Sequence, residues 1–321
     1  MPKIVQCVPN FSEGRDLQKV EKIVAPLKQQ KGFKLVSYEP DKDYNRTVVT
    51  LLGEPEAMLE PLLEFIAVAI KEIDMRDQKG EHPRMGAVDV LPFIPIAEIT
   101  MEECVNIAHQ ISKEIAEKLA LPVFTYAEAA QVNARKKLPN IRKGEFEGMA
   151  EKIKDTTWHP DYGKPEIHPT AGVIGVGARL PLIAYNIDLD TEDIEVAKAI
   201  AKAIRGSSGG FKHVQAGPVY LDERNHVQVT MNILNYKQNP IYRVLETVIM
   251  EAKRYGVNVP SSEIVGLVPS DTIVRSLKYY YALDNLGEIN SLTTEAIVEG
   301  AVKYLRFRDF NKYKIIEANL D

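Results

Sequence analysis

Cysteine is almost missing from this chain. Cys7 and Cys104 are the only two, too few for a disulfide framework and too isolated for a structural zinc site, so a reducing, cytoplasmic compartment is the expectation. Long apolar runs are missing as well. Nowhere do about 18 apolar residues follow one another, the length a bilayer demands of a spanning helix, so a soluble chain without a membrane partner is expected. The amino terminus enters a short strand-like segment, KIVQCV, with no longer apolar stretch and no small-residue cleavage site behind it, and no signal peptide is visible. Positive charge is not in excess. A net charge of −5 works against a broad contact with nucleic-acid phosphates, and any anionic ligand must be met by local lysines and arginines.

Signatures of metal and nucleotide chemistry are missing too. His159 and His168 are not at a metal-ligand spacing, His82 has no neighbour at helical i+4 spacing and HExxH does not occur, so no metal is expected. The glycine-rich stretch from Gly163 to Arg179 contains no GxGxxG and no P-loop lysine, and it leads into a strand rather than a helix, which argues against a phosphate cradle. Close approach of backbone to a flat ligand or to the facing domain fits those glycines better. Neither cysteine sits in a nucleophile signature, and Cys7 on an apolar strand reads as core.

What is there is an ordinary globular composition, 45% apolar and 26% charged, in a chain of 321 residues, longer than one compact unit usually is. The apolar spacing predicts strands near 3–8, 33–38, 46–52, 86–94 and 122–126 with helices near 17–30, from Pro55, and from Thr100. Thr100 and Glu103 read as a capping box, and Pro61 is compatible with the second helix only in its first turn. The carboxy half repeats the order: strand LPLIAYNIDL, helix 191–205, strands 213–221 and 226–234, helix 240–255 opened by Asn239-Pro240, strand 262–267. Two β-α-β-β-α-β units in tandem, an α+β chain of ferredoxin-like subdomains over 1–180 and 181–321, is the economical arrangement. The segment 134–180 between them could hold a short helix and then becomes too rich in Gly, Pro and His for one; a long irregular stretch of that kind is usually functional.

Three places could carry chemistry. In GEHPRMGAVDVLPFIPI, His82 and Arg84 stand at a loop edge before an apolar strand. An imidazole, with an unperturbed pKa of about 6.5, can move a proton either way near neutrality, and a nearby Arg84 would favour its neutral form; the plainer reading is a turn histidine fixed by Pro83. VPNFSEG and YNRTVVTLLG place Asn10, Glu13, Asn45 and Arg46 beside buried strands, as a preformed polar pocket requires; ordinary turn chemistry, with Asn10 and Ser12 capping the next helix, is the alternative. The third place is the glycine-rich stretch itself.

The ordered blocks VQCVPNFSEGRD, NRTVVTLLG, KGEHPRMGAVDVLPFIPI, IRKGEFEG, WHPDYG, GARLPLIAYNIDL, YLDERNHVQVTMNIL and EIVGLVP, spread from residue 1 to about 285, together resemble the glutamate formiminotransferase family. The resemblance implies two ferredoxin-like subdomains, a homodimer, and transfer of a formimino group from N-formiminoglutamate to N5 of tetrahydrofolate as co-substrate, in histidine breakdown. It implies that His82, in the GEHPRMG block, is the catalytic acid/base, and that the stretch following WHPDYG binds folate: Gly163, Lys164, Pro165, Glu166, Ile167, His168, Pro169, Thr170, Ala171 and Gly172. Asn10, Glu39, Arg46 and Arg84 are the candidates for substrate contact, the two arginines because a guanidinium fork suits a carboxylate. Glu39 stands where the family leads one to expect aspartate, and the folate stretch is less aromatic and hydroxylated than expected. The chain stops where the cyclodeaminase domain of bifunctional animal members would begin, so deamination of the product is not expected. Formyl transfer within the same fold, and a non-enzymatic folate-binding protein, are the rival readings.

Overall fold

The computed structural model describes residues 2–221, 225–284 and 292–320. The chain divides into two compact units, Met1–Arg179 and Leu180–Asp321. Unit one runs β1 (Ile4–Cys7), β2 (Asn10–Phe11), α1 (Leu17–Val24), β3 (Phe33–Asp41), β4 (Arg46–Gly53), α2 (Pro55–Glu72), β5 (Val88–Ala97), α3 (Met101–Leu119), β6 (Val123–Ala127), α4 (Leu138–Arg142), α5 (Glu145–Lys152) and β7 (Ile174–Ala178).

β1 and β2 are two pieces of one central strand, because each pairs antiparallel with β4 on one side and with β5 on the other. β3 closes the edge beyond β4, which puts the first strand in the middle and the second at the rim, the order of a split β-α-β unit. Past β5 the sheet continues through β7 and then β6, both parallel. One face buries Val5, Cys7, Phe11, Val49, Leu51, Leu91 and Phe93 against Val20 and Ile23 of α1, Leu62 and Ile66 of α2, and Ile107 and Ile111 of α3. The other face is covered over β5, β6 and β7 by the stretch that carries α4 and α5, through Met85, Val90, Phe124, Tyr126, Ile141, Met149 and Ile153. Alternation along the strands produces this division: Val49 and Leu51 point to the helices, so Arg46 and Val48 point away.

Unit two runs β8 (Ile183–Leu189), α6 (Ile194–Ile204), β9 (Val214–Leu221), β10 (His226–Ile233), α7 (Ile241–Lys253), β11 (Ser262–Val265), α8 (Ser270–Leu283) and α9 (Thr294–Leu305). Its sheet is antiparallel throughout, in the order β11-β8-β10-β9, again with the first strand central. Ile200, Val244 and Val248 pack on Tyr185, Val229 and Ile264, and α8 and α9 add Ile273, Leu277, Ile297 and Leu305 to the same core. The β-α-β-β-α-β pattern had no place for these last two helices.

Four local expectations are corrected. The glycine-rich stretch does not merely precede a strand; its residues 174–178 are β7, slotted between β5 and β6. A Cβ on Gly177 would come within 2.7 Å of the Tyr126 ring, so glycine there makes room for a neighbouring side chain of the same unit. Pro61 lies inside α2 rather than in its first turn; one amide bond is lost there, while Met58, Leu62, Phe65, Ile66 and Ala69 bury the helix on either side. α7 is not capped by Asn239, whose Oδ1 accepts instead from the His213 amide at 3.2 Å. Nor do Asn10 and Ser12 cap α1; Asp16 does, accepting from the amides of Gln18 and Lys19.

A buried ion pair ties WHPDYG to the sheet. Arg135 donates to Asp161 Oδ1 at 2.7 Å and to the carbonyls of Thr157 and His159, while Asp161 Oδ2 accepts from the amide and hydroxyl of Thr125 on β6; the two side chains are 5% and 3% exposed. Removing one partner strands the other charge where water cannot reach it. Asp161→Ala should therefore destabilise the protein by about 3–5 kcal/mol in urea unfolding, and a loss under about 1 kcal/mol would show that the pair does not hold this segment.

Candidate active site

The site lies on the unit-one sheet face that points away from α1 to α3. Directly paired residues of antiparallel strands share a face. Asn10 of β2 and Glu39 of β3 both pair with Val48 of β4, and Asp41 of β3 pairs with Arg46 of β4. Asn10, Glu39 and Arg46, distant in sequence, are thus brought together on one face. Asn10 is buried and donates to the Val8 carbonyl at 2.9 Å; Glu39 is exposed, with Oε1 accepting from Ser37 at 3.4 Å.

His82 reaches this face from the loop that precedes β5. Its Nε2 lies 2.6 Å from Arg46 Nη1, and the Tyr44 ring stands edge-on to the imidazole, centroids 6.0 Å apart. A guanidinium has only donors, so Nε2 must be the accepting, unprotonated nitrogen, and His82 is neutral. Burial, with the nearby charges of Arg46 and Arg142, depresses its pKa to about 3. Because the unfolded chain binds this proton first, near pH 6.5, His82 makes the fold lose stability as pH falls from there towards 3.

Arg46 is itself half-buried. Its Nε has no hydrogen-bond partner, and among the described residues no carboxylate pairs with it. The nearby carboxylates are otherwise engaged: Asp89 pairs with Arg142 of α4 and accepts from the Met85 amide, and Asp41 Oδ1 accepts from the amides of Asp43 and Tyr44. The result is a guanidinium partly withdrawn from water without an anion, the condition for binding one.

The surrounding loops are tied to one another by backbone-directed bonds. Asn45, at a positive φ of 46°, accepts from the Gly14 amide at 3.0 Å, donates to the Lys79 carbonyl at 2.9 Å, and has its own carbonyl bound by Gln78. Ser12 donates to the Gly86 carbonyl at 2.8 Å. Glu13 accepts from the amides of Arg15 and Asp16. Asn45 and Glu13, read as pocket groups, act here as turn and loop ties.

Arg84, a candidate carboxylate contact for the substrate, is engaged by groups of the chain itself. Its Nε donates to Gln78 Oε1, Nη1 to Glu145 and Glu147, and Nη2 to Glu147 and the Gln78 carbonyl. Two carboxylates of the chain already fill the fork, and the residue fastens the His82 loop to the start of α5.

The stretch 163–172 divides in two. Gly163, Lys164, Pro165, Glu166 and Pro169 are exposed, and Ile167, His168 and Thr170 half-buried. From His168 onward it is anchored: His168 Nδ1 accepts from the Ala171 amide at 3.0 Å, Thr170 accepts from Met75, and Ala171 from Ala87. Gly172, with φ +70°, bridges to Gly86, and a Cβ there would come within 2.3 Å of the Met85 carbonyl, so only glycine fits. The anchored half thus holds the backbone just past His82. Both cysteines are buried, with the Cys7 thiol pushed up by burial and that of Cys104 up to about 12, which disfavours a thiolate nucleophile. Among the described residues no group of three or more His, Cys, Asp or Glu could hold a metal ion, and no helix is long and apolar enough to cross a membrane.

Residues 4–179 match the N-terminal subdomain of the formiminotransferase domain, and residues 184–320 match the formiminotransferase domain. The chain belongs to the formiminotransferase family. It is 46% identical over 285 residues to a glutamate formimidoyltransferase of Streptococcus pyogenes serotype M1, covering 89% of this chain and 95% of that one. A glutamate formimidoyltransferase of Thermoplasma acidophilum is 43% identical over 291 residues, covering 90% and 96%. The formimidoyltransferase-cyclodeaminase of Gallus gallus is 40% identical over 291 residues, which cover 89% of this chain and 54% of that protein.

Sequence reasoning missed Arg142, Asp89 and Tyr44 around this candidate site. A signal existed for one: Asp89 is a lone carboxylate inside the apolar run GAVDVLPF, and a charge so placed is rarely left unpaired. If Arg84 is a fastener rather than a ligand, Arg84→Lys should lower stability by about 2 kcal/mol, read from the urea midpoint, and leave the KM for the glutamate donor within about twofold. A large KM rise at unchanged stability would return Arg84 to the binding site.

Proposed function

We propose that the chain transfers the formimino group from N-formimino-L-glutamate to N5 of tetrahydrofolate, releasing glutamate, with His82 as general acid and base. Family membership and the 43–46% identity to two named glutamate formimidoyltransferases support the reaction. The observation that carries the role of His82 is the contact between Arg46 and the imidazole, which leaves a neutral ring on a half-buried sheet face with its lone pair at Nε2. As the new bond to the migrating carbon forms, His82 takes the proton from the attacking amine. As the old carbon–nitrogen bond breaks, the imidazolium returns it to the departing glutamate nitrogen, so one residue serves both steps and no net proton is consumed.

Arg46 is the proposed contact for a donor carboxylate, with Asn10 and Glu39 on the same face. The stretch from Gly163 to Gly172 is the proposed folate contact; its tie to Gly86 links it to the loop that carries His82. A homodimer with small-molecule substrates, as the family resemblance implies, completes the proposal, with a cytoplasmic location and no nucleic-acid or membrane partner as composition and charge lead one to expect.

His82→Ala should lower turnover by about 10²–10⁴-fold while donor and folate still bind; unchanged turnover would remove His82 from the chemistry. Arg46→Lys replaces the planar fork by a point charge and should mainly raise the donor KM in steady-state assays, and an unaltered KM would end its role as carboxylate contact.

A further inference from the structure

His82 with Arg46 against it is poorly set up to work. Its only basic nitrogen, Nε2, is the atom that accepts from Arg46 at 2.6 Å, so the lone pair that must take a proton is covered. An imidazolium formed there would face a guanidinium directly. A general base is most effective when its pKa lies near the working pH, and burial with Arg46 and Arg142 holds this one far below it.

The groups facing the imidazole define what could change this. Arg46 comes from β4, Arg142 from α4, Asp41 from β3, and Tyr44 from the turn between β3 and β4. Asp89 of β5 lies near Arg46 but is paired with Arg142, and Asp41 is engaged by the amides of its own turn. Among the described residues no carboxylate is therefore in place to draw Arg46 off the ring. Arg46 nevertheless keeps a buried Nε with no partner. The donor in the proposed reaction brings carboxylates of its own.

We propose that Arg46 is a substrate-sensing latch on His82: its guanidinium covers the catalytic nitrogen until a carboxylate of the glutamate donor pairs with it and uncovers that nitrogen. The hydrogen bond from Nη1 to Nε2 breaks and a guanidinium–carboxylate pair forms in its place. The local positive charge is neutralised in the same event, so the lone pair becomes both accessible and more basic. Binding of the correct anion and activation of the base are thereby one step, and a ligand without the carboxylate leaves the base covered. In this scheme Arg46 both contacts the donor carboxylate and sets the availability of His82.

The inference rests on the role of His82 proposed above, and the experiment separates the two. With histidine ring nitrogens labelled by 15N and His82 assigned from His82→Gln, the ring is observed at pH 6. In the wild type Nε2 should be unprotonated without ligand, and saturating L-glutamate, with saturation established by calorimetry, should raise the protonated fraction by about tenfold or more. Arg46→Gln should raise the protonated fraction of His82 with no ligand present, burial and Arg142 still holding it down, and should remove the response to glutamate, and its acid limb of kcat/KM against pH should move upward; Arg46→Lys should restore part of the response. A wild-type ring whose protonated fraction does not rise at saturating glutamate, or an Arg46→Gln ring no more protonated than the wild type, overturns the latch while leaving His82 as the acid/base. A His82→Gln enzyme with undiminished turnover overturns the latch together with the reading on which it rests.

Discussion

A guanidinium can give hydrogen bonds but cannot receive one, and the site depends on that constraint. By aiming Arg46 at His82 Nε2, the sheet sets the tautomer, the charge and the availability of the imidazole in one contact. The cost is a positive charge half out of water without its anion, which a stable scaffold must hold in place. Buried bonds to backbone do this on three sides: Asn45 joins the loops near Gly14 and Lys79, Ser12 joins the start of the chain to Gly86, and Gly172 meets Gly86 from the other direction.

The scaffold also separates cations by function. Arg84, Arg135 and Arg142 are each matched to acidic partners, Glu145 and Glu147, Asp161, and Asp89, and each fastens a piece of the 134–172 stretch to the sheet or to its loops. Replacing such pairs by apolar residues can be neutral for stability, so their value here is geometric: a planar fork fixes both distance and orientation. Arg46 differs in having no acidic partner among the described residues, and it is the arginine beside the candidate base.

Much of the architecture was legible beforehand because it depends on short-range periodicity. Val20, Ile23 and Val24, the Thr100–Glu103 capping box, and the apolar run in NRTVVTLLG marked α1, α3 and β4, although α1 ends at Val24 and not near residue 30. β7 was not legible as a strand, since Gly175 and Gly177 carry no apolar side chain and earn their place only by making room for Met85 and Tyr126. Pro61 was misplaced for a related reason: helix rules penalise the missing amide, while the core contacts around it outweigh that loss. The site followed the same division. His82 and Arg46 stood out by residue type and by resemblance, whereas nothing local to GEHPRMG foretold that Arg84 would meet Glu145 and Glu147, more than a third of the unit further along.

The sequence by itself determined the class of fold, the family and the residue types able to move a proton, since these follow from hydrophobic period and from ordered blocks of residues. Tertiary structure alone decided which arginine is matched and which is left without an anion, because that depends on strand register: Asp41 opposite Arg46, Asn10 and Glu39 opposite Val48. Charges far apart along a chain interact only through the distances that folding sets, and at hydrogen-bond range a shift of one residue in register turns a side chain to the opposite face. The contact between Arg46 and His82 is a property of that register.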